Sequence, residues 1–235
     1  MPTKKIATRN TIDLYFKRIF GLMFGAVLLT AVASVFTIFG GGLKFLFNST
    51  MTGFSALYYI LLFGGLIFSI WAQVRTFNMK PTTGAIMLAI YSIIMGITIT
   101  PLIAFSLSIN PISIIYAFII SALMFGCMAL FGYKTVKDLS FLGIFLTMGM
   151  IGLILTGIIS LIWPLGATGA AIVCFIGVLI FALFTAYDMQ TLKNAYNVLD
   201  DETQKNQLAV LGALHLYISF VAMFEYILSL LNNRN

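Results

Sequence analysis

Charged residues are scarce in this chain of 235 residues and make up only 9% of it. Soluble domains contain about 25% charged residues, so the shortage excludes an ordinary soluble domain. Hydrophobic residues make up 61% of the sequence, and its mean hydropathy is +1.06. The length allows six or seven spanning helices of about 20 residues each. We therefore expect an integral membrane protein, a single helical bundle in the lipid bilayer without a separate soluble domain.

Cysteine, histidine and enzyme motifs are also scarce or absent. The two cysteines, Cys127 and Cys174, lie within apolar runs and match no metal-binding or disulfide pattern. The sequence contains no HExxH, GxSxG or P-loop motif, and Asp188 has no second aspartate within a predicted span. Hydrolysis needs an activated nucleophile with a base within reach. We therefore expect no enzymatic activity and no cofactor.

The apolar runs that are present predict an all-α fold with seven transmembrane helices. The predicted spans are residues 19–40, 54–73, 83–107, 111–133, 141–163, 168–187 and 207–231. The seventh is the most polar because it contains His215, Ser219 and Glu225. The connections are short except for residues 188–206, between the last two spans.

The distribution of lysine and arginine predicts the orientation of these spans. With the N-terminus inside, eleven basic residues lie on the cytoplasmic side, and only Lys44 and Arg234 lie outside. Residues 1–18 then form a cytoplasmic segment of a multi-pass protein in the cytoplasmic (inner) membrane. Because topology accounts for the net charge of +6, we expect no nucleic-acid partner. If the seventh segment instead dips in and returns, Arg234 is cytoplasmic.

Four ionisable residues lie at membrane depth, where such groups are costly and usually functional: Arg75, Asp188, His215 and Glu225. Asp188 ends the sixth predicted span and Arg75 ends the second. Both ends are on the predicted cytoplasmic side, so the two side chains can approach each other. His215 and Ser219 are one helical turn apart and share a face that could line the same cytoplasmic vestibule.

Simpler interpretations of these residues remain open. Asp188 could cap the sixth helix, and Arg75 could extend to the headgroup region in accordance with the positive-inside rule. His215 could be a hydrogen-bonded core residue. Glu225 could face a pore or a partner, or pair with a basic side chain.

Three runs in this order resemble the Bax inhibitor-1 (TMBIM) family of membrane proteins. Residues 176–190 (IGVLIFALFTAYDMQ) resemble its sixth-span signature, which ends in tyrosine, aspartate and glutamine. Residues 96–101 (GITITP) resemble a third-span element, and residues 213–220 (ALHLYISF) resemble the last-helix motif. The resemblance implies a seven-helix bundle with the last helix at its centre. It also implies pH-sensitive calcium leak, suppression of cell death in eukaryotes or, in one bacterial branch, modulation of a membrane-anchored protease.

The resemblance also implies roles for individual residues. In the family's leak mechanism two aspartates share a site, and an arginine of the second span binds one of them. Asp188 matches the first aspartate and Arg75 is a plausible match to the arginine, whereas Ser219 replaces the second aspartate. This replacement argues against a proton shared by two carboxylates. It also argues against strong calcium binding, since calcium prefers several oxygen ligands.

The leading hypothesis is therefore a bacterial Bax inhibitor-1 family protein that acts as a pH-sensitive passive calcium or cation leak. In it Asp188 is the gate and a weak calcium ligand, Arg75 is the latch, and His215 and Ser219 line the central helix. The rival hypothesis is a regulator that transports nothing and binds a membrane-anchored protease or another membrane protein. A proton-coupled transporter is a third possibility. The sequence gives no prediction of the oligomeric state.

Overall fold

The computed structural model describes residues 2–48, 53–76 and 79–233, with side chains at residues 12–48, 53–73, 75 and 79–233. Within these residues the fold is all-α. Its helices are α1 (Pro2–Phe39), α2 (Leu43–Leu46), α3 (Ala56–Thr76), α4 (Pro81–Ile109), α5 (Ile112–Lys134), α6 (Ser140–Ile162), α7 (Ala167–Val198) and α8 (Glu202–Asn232). Seven of them, all except α2, are long and apolar enough to cross a membrane. This confirms the predicted class and the predicted number of spans.

Two helices extend well beyond the predicted spans. Helix α1 begins at Pro2, well before the span predicted from residue 19, and α7 continues to Val198, beyond the span predicted to end near residue 187. At 1.5 Å per residue, the 32 residues of α7 are about 48 Å long, more than the ~30 Å hydrocarbon core of a bilayer. Hydropathy marks the part of a helix that contacts lipid, so polar turns beyond the bilayer were missed.

The predicted long connection between the last two spans is also wrong. Because α7 ends at Val198 and α8 begins at Glu202, only residues 199–201 connect them. The 31 residues of α8 form one unbroken helix, so the re-entrant alternative for the seventh segment is wrong as well. Arg234 and the side chains of the first eleven residues, which contributed to the predicted orientation, lie outside the described residues.

The chain forms two compact units. The first contains Met1–Ala104 and Asn194–Tyr217, and the second contains Phe105–Lys193 and Ile218–Asn235. The helices α4, α7 and α8 each contribute residues to both units.

In the first unit, hydroxyl groups join α1, α4 and α8. The Thr30 hydroxyl lies 2.6 Å from the Tyr217 hydroxyl and 3.1 Å from the Ser92 carbonyl oxygen. The approach of α1 to α4 is close, since a Cβ atom added at Gly96 would lie 2.5 Å from the Thr30 carbonyl oxygen. A glycine is therefore needed where these two helices meet, and the hydroxyl bonds satisfy polar groups that lipid could not.

In the second unit, small residues and aromatic rings form the helix contacts. The buried face of α5 is lined by small side chains at a spacing of three to eight residues: Ser113, Ala117, Ser121, Ala129 and Gly132. Phe220 of α8 packs edge-on against two rings of α5, with centroid distances of 5.7 Å to Phe118 and 5.8 Å to Phe125. Small residues let helix backbones approach closely in lipid, and rings fill the wider gaps.

Candidate functional site

Asp188 lies inside α7 rather than at its end. Ten more residues, 189–198, continue the helix after it, so the alternative that Asp188 caps this helix is wrong. Only 8% of the residue is exposed, and Thr185, one turn earlier on the same face, is fully buried. The Asp188 carboxylate therefore belongs to the buried face of an apolar helix, where ionisable groups are costly.

Two glycines set the position of α7 at the two residues that precede Asp188. A Cβ atom added at Gly132 of α5 would lie 2.1 Å from the Ala186 carbonyl oxygen, so the two backbones are in direct contact. A Cβ atom added at Gly143 of α6 would lie 2.8 Å from the ring of Tyr187. Because both contacts involve neighbours of Asp188, they fix the rotation of α7 and with it the direction in which the carboxylate leaves the helix.

Gln190 binds α7 to the connection between α5 and α6. Its amide nitrogen donates to the Lys137 carbonyl oxygen at 2.7 Å, and its amide oxygen accepts from the Leu139 N–H at 2.8 Å. Gln190 is 7% exposed; its bond to Leu139 is buried and its bond to Lys137 is partly buried. The glutamine of the sixth-span signature thus satisfies two backbone groups of the connection and holds it against α7 two residues beyond Asp188.

Lys193 adds a second polar link between α7 and α5. Its ammonium group donates to the Tyr133 carbonyl oxygen at 2.7 Å and lies 5.2 Å from the centre of the Tyr133 ring. A cation near a helix C-terminus interacts favourably with the partial negative charge there. Lys193 was predicted to lie in the long connection between the last two spans; it lies within α7, where it stabilises the end of α5.

The connection itself is shaped by Asp138. Its carboxylate accepts hydrogen bonds from the Ser140 hydroxyl at 2.6 Å and from the Ser140 N–H at 2.9 Å. These bonds, the hydroxyl bond first, hold the pKa of Asp138 below its usual value. Asp138 therefore forms the turn that begins α6, a structural role distinct from that of the buried Asp188.

Ser219 lies in the same compact unit as Asp188. It is 3% exposed and precedes Phe220, whose ring packs between two rings of α5. The packing fixes this turn of α8, so the Ser219 side chain is held in the protein interior. The position at which the family resemblance implies a second aspartate is thus a buried position in this chain.

Arg75 and His215 lie in the other unit. Arg75 is exposed in the last turn of α3. Four residues later, the Met79 carbonyl oxygen accepts a hydrogen bond from the Gln207 amide of α8 at 2.8 Å. His215 is partly exposed on α8, two residues before Tyr217, whose hydroxyl bonds to Thr30.

The predicted site residues thus fall into two pairs: Asp188 with Ser219 in one unit, and Arg75 with His215 in the other. Glu225 is partly buried in α8, beside Tyr226, whose ring packs against Gly177 of α7. The sequence interpretation gave no role to Gly132 or Gln190. The sequence pointed to Gln190 only through its place in the recognised run, two residues after Asp188. Nothing in the sequence interpretation pointed to Gly132.

A strong calcium site does not fit these residues. Within the part of the chain that the structure describes, no three histidine, cysteine, aspartate or glutamate side chains are grouped so that they could hold a metal ion. Calcium takes about six to eight oxygen ligands, and Asp188 supplies one carboxylate.

Comparison with known proteins adds an independent observation. Residues 12–235 match the family model described as "Inhibitor of apoptosis-promoting Bax1". An uncharacterized protein of Caulobacter vibrioides is 34% identical over 226 residues, which are 93% of this chain and 86% of its own length. The inner membrane protein YbhL of Escherichia coli is 30% identical over 231 residues, 97% of this chain and 95% of its own. An uncharacterized protein of Borreliella burgdorferi is 30% identical over 221 residues, 94% of this chain and 92% of its own.

Proposed function

This chain belongs to the Bax inhibitor-1 family of multi-pass membrane proteins, and we propose that it is a passive, pH-sensitive leak for calcium or another cation. Asp188 is the gate and a weak ligand for the ion, and Arg75 is the latch that binds it in the closed state. His215 and Ser219 line α8 along the path. The proposed location is the cytoplasmic membrane, with the N-terminus in the cytoplasm. No catalytic step is part of this function.

The observation that carries the proposal is the burial of Asp188. A carboxylate that is 8% exposed within a helix able to cross a membrane is expensive to maintain, and such residues usually mark an ion path or a proton relay. Its neighbours are rigidly placed by the Gly132 contact and the Gln190 bonds. A gate needs such a fixed frame, because the carboxylate can switch between the arginine and the ion only if its helix holds it within reach of both.

The pairing of Arg75 with Asp188 follows from the family resemblance and from the predicted topology, which assigns both residues to the cytoplasmic side. Arginine and carboxylate form strong, often bidentate hydrogen bonds. Protonation of the carboxylate removes its charge, and with it both the latch and the ion ligand. This gives a leak whose rate changes with pH.

The test is calcium flux into proteoliposomes measured across a range of pH. Asp188→Asn keeps the shape of the side chain but not its charge, so it is expected to abolish the pH dependence of the flux. Asp200→Asn is the matched control, because Asp200 is an exposed residue between α7 and α8. Identical flux and pH profiles for the wild type and Asp188→Asn would remove Asp188 from the mechanism.

A second variant restores the family carboxylate. Ser219→Asp adds an acid at a buried position in the unit that contains Asp188, and two nearby carboxylates titrate as a pair, with one proton held to higher pH. We expect the pH response of the flux to move toward neutral pH. If the profile stays that of the wild type, the two positions do not share a proton.

The second candidate function is a regulator that transports nothing and binds a membrane-anchored protease or another membrane protein. It is favoured by Ser219, because the replacement leaves one carboxylate where the family resemblance implies two. This candidate predicts no calcium flux above that of empty liposomes, together with one membrane protein recovered in constant stoichiometry from native membranes. Flux that depends on Asp188 would exclude it as the sole function.

A further inference from the structure

A cavity of about 490 Å³ opens in the first unit. None of the candidate site residues discussed above lines it. Its wall comes from the first half of α1, the end of α7 and the beginning of α8, and it includes Tyr15, Lys17, Arg18, Tyr196, Lys205 and Asn206. Lys17 and Arg18 directly precede the apolar run that begins at Ile19, α7 ends at Val198, and α8 begins at Glu202. The cavity therefore lies beside the ends of the apolar runs of these three helices, and lipid headgroups lie at such ends in a bilayer.

The lining of this cavity is positively charged. Lys17, Arg18 and Lys205 contribute three cations, and Glu202 contributes the single carboxylate. The Lys205 ammonium group lies 2.9 Å from a Glu202 carboxylate oxygen and 5.0 Å from the centre of the Tyr196 ring. Because Glu202 neutralises at most one of the three cations, and because the first turn of α8 adds partial positive charge, the cavity favours an anion.

Tyr15 provides a second, independent indication of a ligand. The residue is only 6% exposed, and its hydroxyl has no hydrogen-bond partner among the residues that the structure describes. Its ring packs 4.6 Å from that of Tyr196, so the side chain is held in place. A buried hydroxyl without a partner costs free energy, and an anion that accepts its proton would remove that cost.

Part of the cavity wall is apolar. The two tyrosine rings contribute carbon surface, and so does Leu14, which is 68% exposed. A small inorganic ion would leave this surface in contact with water. A ligand that joins an anionic group to a carbon chain would cover it.

We propose that this cavity binds an organic phosphate. Its oxygens accept hydrogen bonds from Arg18, Lys17 and the Tyr15 hydroxyl, and its carbon part lies against Leu14 and the tyrosine rings. A phosphate has several oxygens that accept hydrogen bonds, so it can bind more than one donor at once. The planar guanidinium group of arginine forms two parallel hydrogen bonds to such oxygens. The ligand is either the headgroup of an anionic phospholipid or a soluble phosphate ester. The inference does not depend on the proposed leak.

The experiment measures binding to the purified full-length protein in an uncharged detergent by native mass spectrometry. Phosphatidylglycerol and glycerol 3-phosphate are the two probes, and phosphatidylcholine with the same acyl chains is the comparison lipid. Arg18→Gln is expected to weaken binding of the effective probe about tenfold, because it removes a charged hydrogen bond. Tyr15→Phe is expected to weaken it about threefold.

Two further variants sharpen the result. Lys80→Gln removes an exposed lysine that does not line the cavity and is expected to leave the dissociation constant unchanged. Glu202→Gln removes the only carboxylate of the wall and is expected to tighten binding about twofold, a small effect because the side chain is largely exposed. A cation site would respond to Glu202→Gln in the opposite direction.

The outcomes separate the sources of the ligand. Tight binding of phosphatidylglycerol that Arg18→Gln weakens identifies a lipid headgroup, and the same pattern with glycerol 3-phosphate identifies a soluble ester. The proposal is overturned if neither probe binds more tightly than phosphatidylcholine, or if Arg18→Gln weakens binding no more than Lys80→Gln. Thermal unfolding without ligand checks the folding of Tyr15→Phe, whose midpoint should equal or exceed that of the wild type.

Discussion

The helices α6 and α8 are both apolar enough to cross a membrane, yet only 11% of an apolar 18-residue stretch of α6 is buried in the protein, against 72% of such a stretch of α8. Their compositions have the opposite order, because α6 contains no charged residue and α8 contains Glu202, Lys205 and Glu225. Lipid chains are as apolar as leucine, so no hydrophobic force draws an apolar helix into the protein. A polar group, in contrast, is costly in lipid. The less apolar helix is therefore the one that the protein surrounds.

The side chains of the two helices show the same contrast. Large residues of α6 are mostly exposed, with values of 71% for Phe141, 69% for Ile144 and 66% for Met148. In α8, Leu216 and Tyr217 are fully buried. Stability should therefore depend on α8 at nearly every turn and on α6 only where a neighbouring helix touches it. Three sets of substitutions test this contrast.

The largest difference is expected between two leucines. Leu216→Ala in α8 removes a side chain with no exposed surface and leaves a cavity, so it should lower the free energy of unfolding by about 2 kcal/mol or more. Leu155→Ala in α6 removes a side chain that is 53% exposed, and it should change that free energy by less than about 0.5 kcal/mol. Thermal or denaturant unfolding in detergent micelles measures both. Equal losses would show that burial does not distinguish the helices.

The next difference is expected between two glycines of α6 itself. A Cβ atom at Gly143 would lie 2.8 Å from the Tyr187 ring, whereas one at Gly152 would have nothing within 4 Å. Gly143→Ala should therefore destabilise the protein by about 1 kcal/mol or more. Gly152→Ala should stabilise it by up to about 1 kcal/mol, because alanine favours the helix. The same unfolding assay gives the two signs, and two effects of one sign would contradict the proposed contact.

The smallest effect is expected at the hydrogen bond between Thr30 and Tyr217. A double-mutant cycle with Thr30→Val and Tyr217→Phe should give a coupling energy of about 0.6 kcal/mol, the average for hydrogen bonds between membrane helices. Thr147→Val in α6 is the comparison, because that hydroxyl donates to the Gly143 carbonyl oxygen of its own helix and should matter less. A coupling energy of zero would show that this bond does not stabilise α8.

Several features of the fold could be predicted from the sequence. The number of spans followed from apolar runs of sufficient length, and the importance of residues 176–190 followed from the resemblance. The ends of α1 and α7 could not be predicted, because the turns that contain Asp13, Lys17 and Lys193 are helical without being apolar. Hydropathy measures the free energy of transfer into lipid, so it does not predict where a helix ends if that helix continues into water.

The candidate site was predicted only in part. The choice of Asp188 followed from its charge within an apolar run, and its burial supports that choice. The contact between Gly132 and Ala186 and the bonds of Gln190 could not be predicted, since each joins residues more than fifty positions apart. The cavity near Tyr15 was also missed, because it joins the distant helices α1, α7 and α8. In addition, the sequence interpretation attributed its lysines and arginine to membrane topology alone.

The sequence by itself determined that this protein dissolves in a bilayer as seven helices and belongs to the Bax inhibitor-1 family, because span length and local motifs are properties of contiguous residues. Only the tertiary structure decided that α8 is the buried helix, that Asp188 lies in mid-helix on an interior face, and that Tyr15 lines a cavity together with three cations. These features depend on which helices touch. In lipid that choice is made by backbone fit and polar contacts between distant residues, which no local pattern records.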